Sequence, residues 1–205
     1  MVGGEGDWRR RGQMISLQIV GLQGVGKSTV SRQLRNSYPQ FAYYDYADFM
    51  LEALGYGDKD TLGKLTHDQR APLFSEANRL LQEFMDTEPY KLLVMESHAA
   101  VELPNGEILR FSEHGFEESR TKAMVILVAD PSAIHARRAQ DETRQRDVGL
   151  VEAIERFQNE NTAHAIEIAR VLAIPHYVVR NDDRIRCGKE MEKIMGEILR
   201  RFDLA

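Results

Sequence analysis

The sequence predicts an α/β fold, a three-layer α/β/α arrangement in which helices cover both faces of a five-stranded parallel sheet. Three observations lead to this prediction. Short apolar runs alternate along the chain with helical patterns, each run is apolar nearly throughout, and a glycine-rich turn directly follows the first run. No internal repeat and no linker divides the chain in two.

The strands are predicted from apolar runs of four to six residues, the length typical of buried strands in a parallel sheet. The segments between them carry helical patterns, as the crossover connections of parallel neighbours require. The predicted strands cover 15–20, 41–44, 92–95, 123–128 and 176–179.

The helices between these runs begin at recognisable signals. Lys27 follows the glycine-rich turn, Thr66 and Gln69 form a capping-box pattern, and Pro131 stands where proline often opens a helix. The predicted helices cover 27–37, 66–85, 131–142, 148–172 and 189–202.

The composition is that of a soluble globular protein, and it excludes several classes. The chain has 205 residues, of which 42% are hydrophobic, and a formal net charge of −5. No apolar run approaches the roughly 20 residues of a membrane-spanning helix, and residues 1–13 lack the apolar core of a secretory signal. The single cysteine, Cys187, excludes an intrachain disulfide and a four-cysteine zinc site. We therefore expect a cytoplasmic protein without a membrane partner, and the acidic balance argues against nucleic acid as a partner.

Residues 21–28 fit the pattern G-x-x-x-x-G-K-S, which binds nucleotide phosphates where it joins a strand to a helix. Glycines let backbone N–H groups point at phosphate oxygens, and the helix N-terminus adds partial positive charge. Lys27 would reach the β- and γ-phosphates, and the Ser28 hydroxyl would be a magnesium ligand. The pattern predicts a nucleoside triphosphate site formed by Gly21, Gln23, Gly24, Val25, Gly26, Lys27, Ser28 and Thr29.

Several segments after this P-loop resemble the archaeal-type adenylate kinases. The most specific is the arginine-rich run 137–147, which is similar to the short lid of these enzymes. The resemblance spans residues 14–183, and it continues in Glu96-Ser97-His98, Pro104-Asn105-Gly106, Asn159, Asn161 and His164.

This resemblance implies a P-loop nucleoside monophosphate kinase fold and phosphoryl transfer from ATP to AMP, with Mg²⁺ as cofactor. It also implies a homo-oligomer. The chain is then expected to consist of a flexible N-terminal arm at 1–13 and a P-loop kinase domain at 14–205. Within that domain, the acceptor-binding part spans about 45–90 and the short lid about 131–147.

Four arginines, Arg137, Arg138, Arg144 and Arg146, lie close together in the lid segment. A phosphoryl group in transfer spreads negative charge over its oxygens, and the guanidinium group binds such oxygens bidentately while staying charged. We expect Arg138, Arg144 and Arg146 to be catalytic together with Lys27, and Arg137 to lie on a solvated face. The sequence leaves open that all four form a solvated helix face paired with neighbouring acidic residues.

Glu96 and His98 follow the third strand, at the edge of the sheet where parallel sheets bind their ligands. We expect Glu96 to hold magnesium through water, together with Ser28, and His98 to contact the acceptor. An ion pair between Glu96 and a lysine, and a structural role for His98, are the alternatives.

Asp45 and Asp48 follow the second strand, in the region where P-loop kinases bind acceptors. Either could be the base for an alcohol acceptor, whereas a nucleoside monophosphate is already ionised and needs none. Asp48 could instead cap a helix. Gly63 stands where the archaeal-type pattern has an arginine that can grip the acceptor phosphate, and Arg110 is a candidate substitute.

Two other functions stay open on the sequence alone. Gly63 and the aspartate pair favour a P-loop kinase of another small-molecule acceptor. The arginine-rich arm at 1–13 favours an adenylate-kinase-like ATPase that acts in an assembly process.

Overall fold

The computed structural model describes residues 13–55, 57–103, 107–141 and 149–204. The structural statements below refer to these ranges. In chain order the elements are β1 (Ile15–Val20), α1 (Lys27–Ser37), β2 (Ala42–Asp45), α2 (Tyr46–Leu54), α3 (Lys59–Lys64), α4 (His67–Thr87), β3 (Leu92–Ser97), β4 (Ala100–Glu102), β5 (Ile108–Arg110), α5 (Glu113–Glu118), β6 (Thr121–Val128), α6 (Pro131–Ala139), α7 (Val151–Val171), β7 (His176–Arg180) and α8 (Arg184–Arg201).

The main sheet has five strands in the order β2-β3-β1-β6-β7, and every neighbouring pair is parallel. This confirms the predicted sheet. β1 lies at the centre, and all six of its residues are buried. Because the strands are parallel, their carboxyl ends meet at one edge, where the P-loop follows β1.

Alternate residues of the strands pack against helices on opposite faces, as the three-layer prediction requires. Leu17 and Ile19 of β1 belong to a core shared with α1 and α8. Val20, on the other face, packs in a second core with α5 and α7, and Leu93 of β3 packs with α2 and α4. No helix in the described ranges is both long enough and apolar enough to span a bilayer.

Several short elements were not predicted. They are the helices α2, α3 and α5 and the antiparallel hairpin of β4 and β5. α8 also begins five residues before the predicted start at Lys189, because the Asp183 side chain accepts hydrogen bonds from the N–H groups of Ile185 and Arg186. α6 ends at Ala139, earlier than predicted.

The predicted capping box opens α4, the long helix that forms one wall beside the sheet. The Thr66 hydroxyl accepts from the Gln69 N–H at 3.4 Å, and the Gln69 side chain accepts from the Thr66 N–H at 2.9 Å. The same helix carries Arg70, Phe74 and Asn78, which line a cavity beside the sheet.

Candidate active site

The P-loop joins β1 to α1 in the conformation that its glycines allow. Gly24 and Gly26 have φ of +84° and +101°, in the left-handed region. A Cβ at Gly26 would also lie 2.3 Å from Nδ2 of Asn181. Lys27 folds back over the loop, and its Nζ donates to the carbonyl oxygens of Gly21 at 2.8 Å and Leu22 at 3.2 Å.

Side chains from outside the loop hold its carbonyl groups. Arg137 donates to the carbonyl of Val25 at 3.2 Å and to that of Asn181 at 2.8 Å. Asn181 Nδ2 also donates to the Val25 carbonyl, at 2.8 Å, and Arg138 Nε donates to that of Gln23 at 3.0 Å. The carbonyls of Gln23 and Val25 are thus bound by side chains from α6 and from the end of β7.

Arg137 was expected on a solvated face, whereas the structure places it partly buried against the P-loop. Asn181 was not predicted as a site residue. A contact from a side chain to a distant backbone carbonyl leaves no pattern in the sequence, so neither role was visible there. The position of Arg138 at the loop agrees with the prediction, although its catalytic role stays a prediction.

Ser28 and Glu96 lie together at the foot of the P-loop. The Ser28 hydroxyl donates to Oε2 of Glu96 at 2.8 Å, and Glu96 is 6% exposed. Burial raises the pKa of Glu96 and the charge of Asp45 adds to this, while hydrogen bonds from Ser28 and Ser31 and the charge of Lys27 oppose it. Glu96 thus accepts a hydrogen bond from the Ser28 hydroxyl and also feels the charge of Lys27.

His98 lies two residues beyond Glu96, beside the P-loop. Burial lowers its pKa well below the usual value, and the nearby charges of Lys27, Lys59 and Arg138 act in the same direction. A hydrogen bond with the backbone of Gly21 opposes them. His98 is therefore a neutral imidazole at pH 7, able to donate and accept hydrogen bonds.

Asp45 and Asp48 share a lysine partner that was not predicted. Asp45 caps α2, where its Oδ1 accepts from the Ala47 N–H at 2.9 Å, and its Oδ2 lies 2.6 Å from Nζ of Lys59. Lys59 also pairs with Asp48, which lies in the first turn of α2. The expectation that Asp48 could cap a helix is therefore wrong, because the helix begins one turn earlier, at Asp45.

A cavity of about 350 Å³ opens beside the P-loop, between the sheet and the helices α2, α4 and α5. Four residues predicted for the site line it, Gln23, Asp45, Glu96 and His98, together with the unpredicted Lys59. The full lining is Gln18, Gln23, Asp45, Tyr46, Ala47, Met50, Lys59, Leu62, Arg70, Phe74, Asn78, Glu96, Ser97, His98, Val101, Glu102, Phe111, Ser112, His114, Gly115, Phe116, Glu118 and Ser119.

The structure does not bring the remaining predicted residues into this lining. Arg110 is 59% exposed on β5, where it pairs with Glu160 at 2.6 Å. The buried guanidinium that does line the cavity is that of Arg70, whose Nε donates to the Leu65 carbonyl at 2.9 Å. Arg144, Arg146 and the segment Pro104-Asn105-Gly106 lie outside the described residues.

Comparisons with known proteins identify the family of the chain. A family model described as an AAA domain matches residues 20–155, more than half of the chain. An adenylate kinase of Thermococcus onnurineus (strain NA1) is 32% identical over 92% of this chain and 95% of its own length. One of Thermococcus sibiricus (strain DSM 12597 / MM 739) is 31% identical over 91% of this chain and 94% of its own length.

Solved structures show the same fold at low sequence identity. A shikimate kinase from Acinetobacter baumannii, in complex with shikimate, has a TM-score of 0.59 at 16% identity, over 92% of this chain and 94% of its own. A gluconokinase from Sinorhizobium meliloti 1021 has a TM-score of 0.56 at 16% identity, over 95% of this chain and 98% of its own. The chain therefore belongs to the AAA domain family of the matching model and to the adenylate kinase family of these relatives, and it is a phosphotransferase.

Proposed function

We propose that this protein transfers the γ-phosphoryl group of Mg-ATP to AMP and so forms two molecules of ADP. The observation that carries this proposal is the junction at Glu96 and His98, where the 350 Å³ cavity meets the P-loop. A donor bound in the P-loop and an acceptor bound in the cavity would bring their phosphates together at this junction. The names of the curated relatives favour AMP as the acceptor.

The donor triphosphate would be held by the backbone N–H groups of residues 21–29 and by the start of α1. Lys27 now donates to two loop carbonyls, and we propose that its ammonium turns to the β- and γ-phosphates when ATP binds. Arg138 is bound to the Gln23 carbonyl and is close enough to stabilise the charge of the transferring group. The same role for Arg144 and Arg146 stays a prediction.

Magnesium fits the residues present. Ser28 Oγ and Glu96 Oε2 lie 2.8 Å apart, and hydroxyl and carboxylate oxygens are the donors that Mg²⁺ prefers. We propose that Ser28 holds the ion with the triphosphate and that Glu96 holds it through water. When bound, magnesium supplies charge neutralisation at the β- and γ-phosphates.

The transfer itself needs no base from the protein. A phosphate oxygen of AMP bonds to the γ-phosphorus, and the bond from that phosphorus to the β,γ-bridging oxygen breaks, which leaves ADP on both sides. The chain's own contribution is to position the two phosphates and to supply cations around them. Lys59 and Arg70 are the cations that line the acceptor cavity, and we propose that they bind the AMP phosphate.

One observation favours a second candidate, phosphoryl transfer to a small alcohol. Asp45 lines the cavity at the end of β2, where it could accept a hydroxyl proton, and the similar solved structures include a kinase with shikimate bound. Against this, Asp45 already accepts from Lys59 and from the Ala47 N–H. The assembly-linked ATPase, the homo-oligomer, the cytoplasmic location and the roles of the arm and lid stay predictions.

An acceptor panel tests the proposal. ADP formation from Mg-ATP would be measured separately with AMP, CMP, UMP, GMP, shikimate and no acceptor. We expect strong turnover with AMP and only background in the empty reaction. Equal slow ADP formation in every reaction would instead identify an ATPase, and turnover with shikimate alone would identify an alcohol kinase.

A further inference from the structure

A buried glutamine stands in the middle of the central strand, where a parallel sheet normally carries apolar side chains. Gln18 is 2% exposed, and it lines the acceptor cavity together with Ser97 and Ser119. A buried amide has to be hydrogen-bonded, and Gln18 is. Gln18 of β1, Ser97 of β3 and Ser119, which lies between α5 and β6, are here called the cavity floor.

The hydrogen bonds around Gln18 determine which way its amide faces. Ser119 Oγ donates to the Phe116 carbonyl at 3.0 Å, and a carbonyl can only accept, so this bond uses the one hydrogen of Ser119. Ser119 can then only accept from Gln18, which lies 3.2 Å away. The amide nitrogen therefore faces Ser119, with Ser16 and Thr121 also within 3.4 Å of it.

The amide oxygen consequently faces Ser97. The Ser97 hydroxyl donates to Oε1 of Gln18 at 2.8 Å, and this bond uses the single hydrogen of Ser97. Ser97 therefore offers only lone pairs to the cavity. Gln18 thus makes the Ser97 hydroxyl a hydrogen-bond acceptor for any ligand.

The helix side of the cavity also contains a hydrogen-bond acceptor. Glu118 lines it, and its carboxylate accepts from Asn78 Nδ2 at 2.8 Å. A carboxylate has no hydrogen to donate. A bound ligand therefore meets acceptors on both sides, at Ser97 and at Glu118.

We propose that Gln18 is a positioning residue that makes the cavity floor select a 6-aminopurine over a 6-oxopurine. This inference rests on the proposed function, in which the AMP phosphate meets the γ-phosphate at the P-loop edge of the cavity, and we place the nucleoside over the floor. An exocyclic amino group donates to Ser97, whereas an oxo group at the same position places lone pairs against lone pairs. A site built to bind a donor rejects the analogue that lacks it.

The test compares kcat/KM for AMP and IMP, which differ in the substituent at C6 and in the protonation of N1 that follows from it. We expect the wild type to prefer AMP by about a hundredfold or more. Gln18→Met keeps the side-chain volume but frees the Ser97 hydrogen to donate, so the kcat/KM for IMP should rise and the preference should fall about tenfold or more. Ser97→Ala should lower the preference through a loss on AMP.

Ser16→Ala is the matched control. Ser16 bonds to Gln18 and Thr121 within the same buried cluster, but it is not part of the cavity lining. This variant should reduce stability and keep the wild-type preference for AMP. Ser97→Ala carries the test if Gln18→Met does not fold.

The failures of the two proposals are distinguishable. A preference for AMP that is unchanged in both Gln18→Met and Ser97→Ala would overturn the role of Gln18, with the AMP kinase activity intact. If the wild type phosphorylates neither nucleotide, the proposed function fails instead. Calorimetric binding of AMP and IMP to the same variants then decides the role of Gln18, and equal binding of both by the wild type overturns it.

Discussion

At the scale of the residue, Lys27 contributes both to the P-loop conformation and to the proposed binding of phosphate. Its ammonium bonds two loop carbonyls and its stem is buried. Lys27→Met keeps the stem and removes the charge, so we expect kcat to fall about a hundredfold or more while the fold persists. Steady-state kinetics would measure kcat, and circular dichroism would measure whether the fold persists. Lys193→Met, at an exposed position of α8, is the control, and equal kcat in the two variants contradicts the assignment.

Glu96 illustrates the cost of burying a carboxylate at a functional site. Burial raises its pKa above the ordinary 4.5, so the folded protein takes up this proton more readily than the unfolded chain. The contribution of Glu96 to the free energy of unfolding therefore falls as the pH rises from about 4.5 through the raised pKa. Above the raised pKa, the buried carboxylate destabilises the fold.

The variant Glu96→Gln separates the effect of the buried charge on stability from its effect on turnover. The amide is neutral and its oxygen can still accept from Ser28, so Tm at pH 7 should be equal to or above that of the wild type. Loss of the carboxylate should lower kcat about tenfold or more, because the proposed magnesium site loses its charge. Calorimetry and kinetics at saturating Mg²⁺ measure these quantities. A lower Tm with unchanged kcat would contradict both roles of Glu96. Glu192→Gln, on the exposed side of α8, is the control.

At the scale of the element, α6 and the end of β7 hold the P-loop from outside. Arg137 bonds the carbonyls of Val25 and Asn181, so Arg137→Met frees the loop from this support. We expect the KM for ATP to rise about tenfold, with a smaller change in the KM for AMP, because the acceptor cavity lies on the other side of the loop. Initial-rate kinetics with each substrate varied in turn would measure the two KM values.

Arg180→Met is the matched control for this prediction. Arg180 neighbours Asn181 but is 69% exposed and pairs with Asp182 at the surface, so its loss should leave both KM values unchanged. Equal effects of the two variants on the KM for ATP would mean that Arg137 supplies charge near the loop and does not support it.

At the scale of the whole molecule, elements with a strong local signal could be predicted from the sequence. The sheet strands have long apolar runs, and α1 and α4 have clear beginnings. The helix α5 has only six residues and each strand of the β4–β5 hairpin only three, so each spans fewer than two periods of its pattern. Such short elements are held by packing on the sheet and not by propensity.

The site follows the same rule. The P-loop could be predicted because it is a contiguous pattern. The proximity of Ser28 and Glu96 could be predicted because Glu96 lies at the end of a strand beside the P-loop. The contacts of Arg137, Lys59 and Gln18 join residues that are distant or unrelated in the sequence, and only the fold brings them together. Gly63 stands where an arginine was expected to bind the acceptor phosphate. In the structure, Lys59 and Arg70 line the cavity and are the candidates for this role.

The fate of the γ-phosphoryl group distinguishes transfer to AMP from hydrolysis of ATP. ATP labelled with ³²P at the γ-position would be mixed with unlabelled AMP and excess protein, and the products would be separated within one turnover. We expect the label to appear in ADP, at a rate that depends on the AMP concentration. Label that appears in inorganic phosphate at the same rate with and without AMP would contradict it.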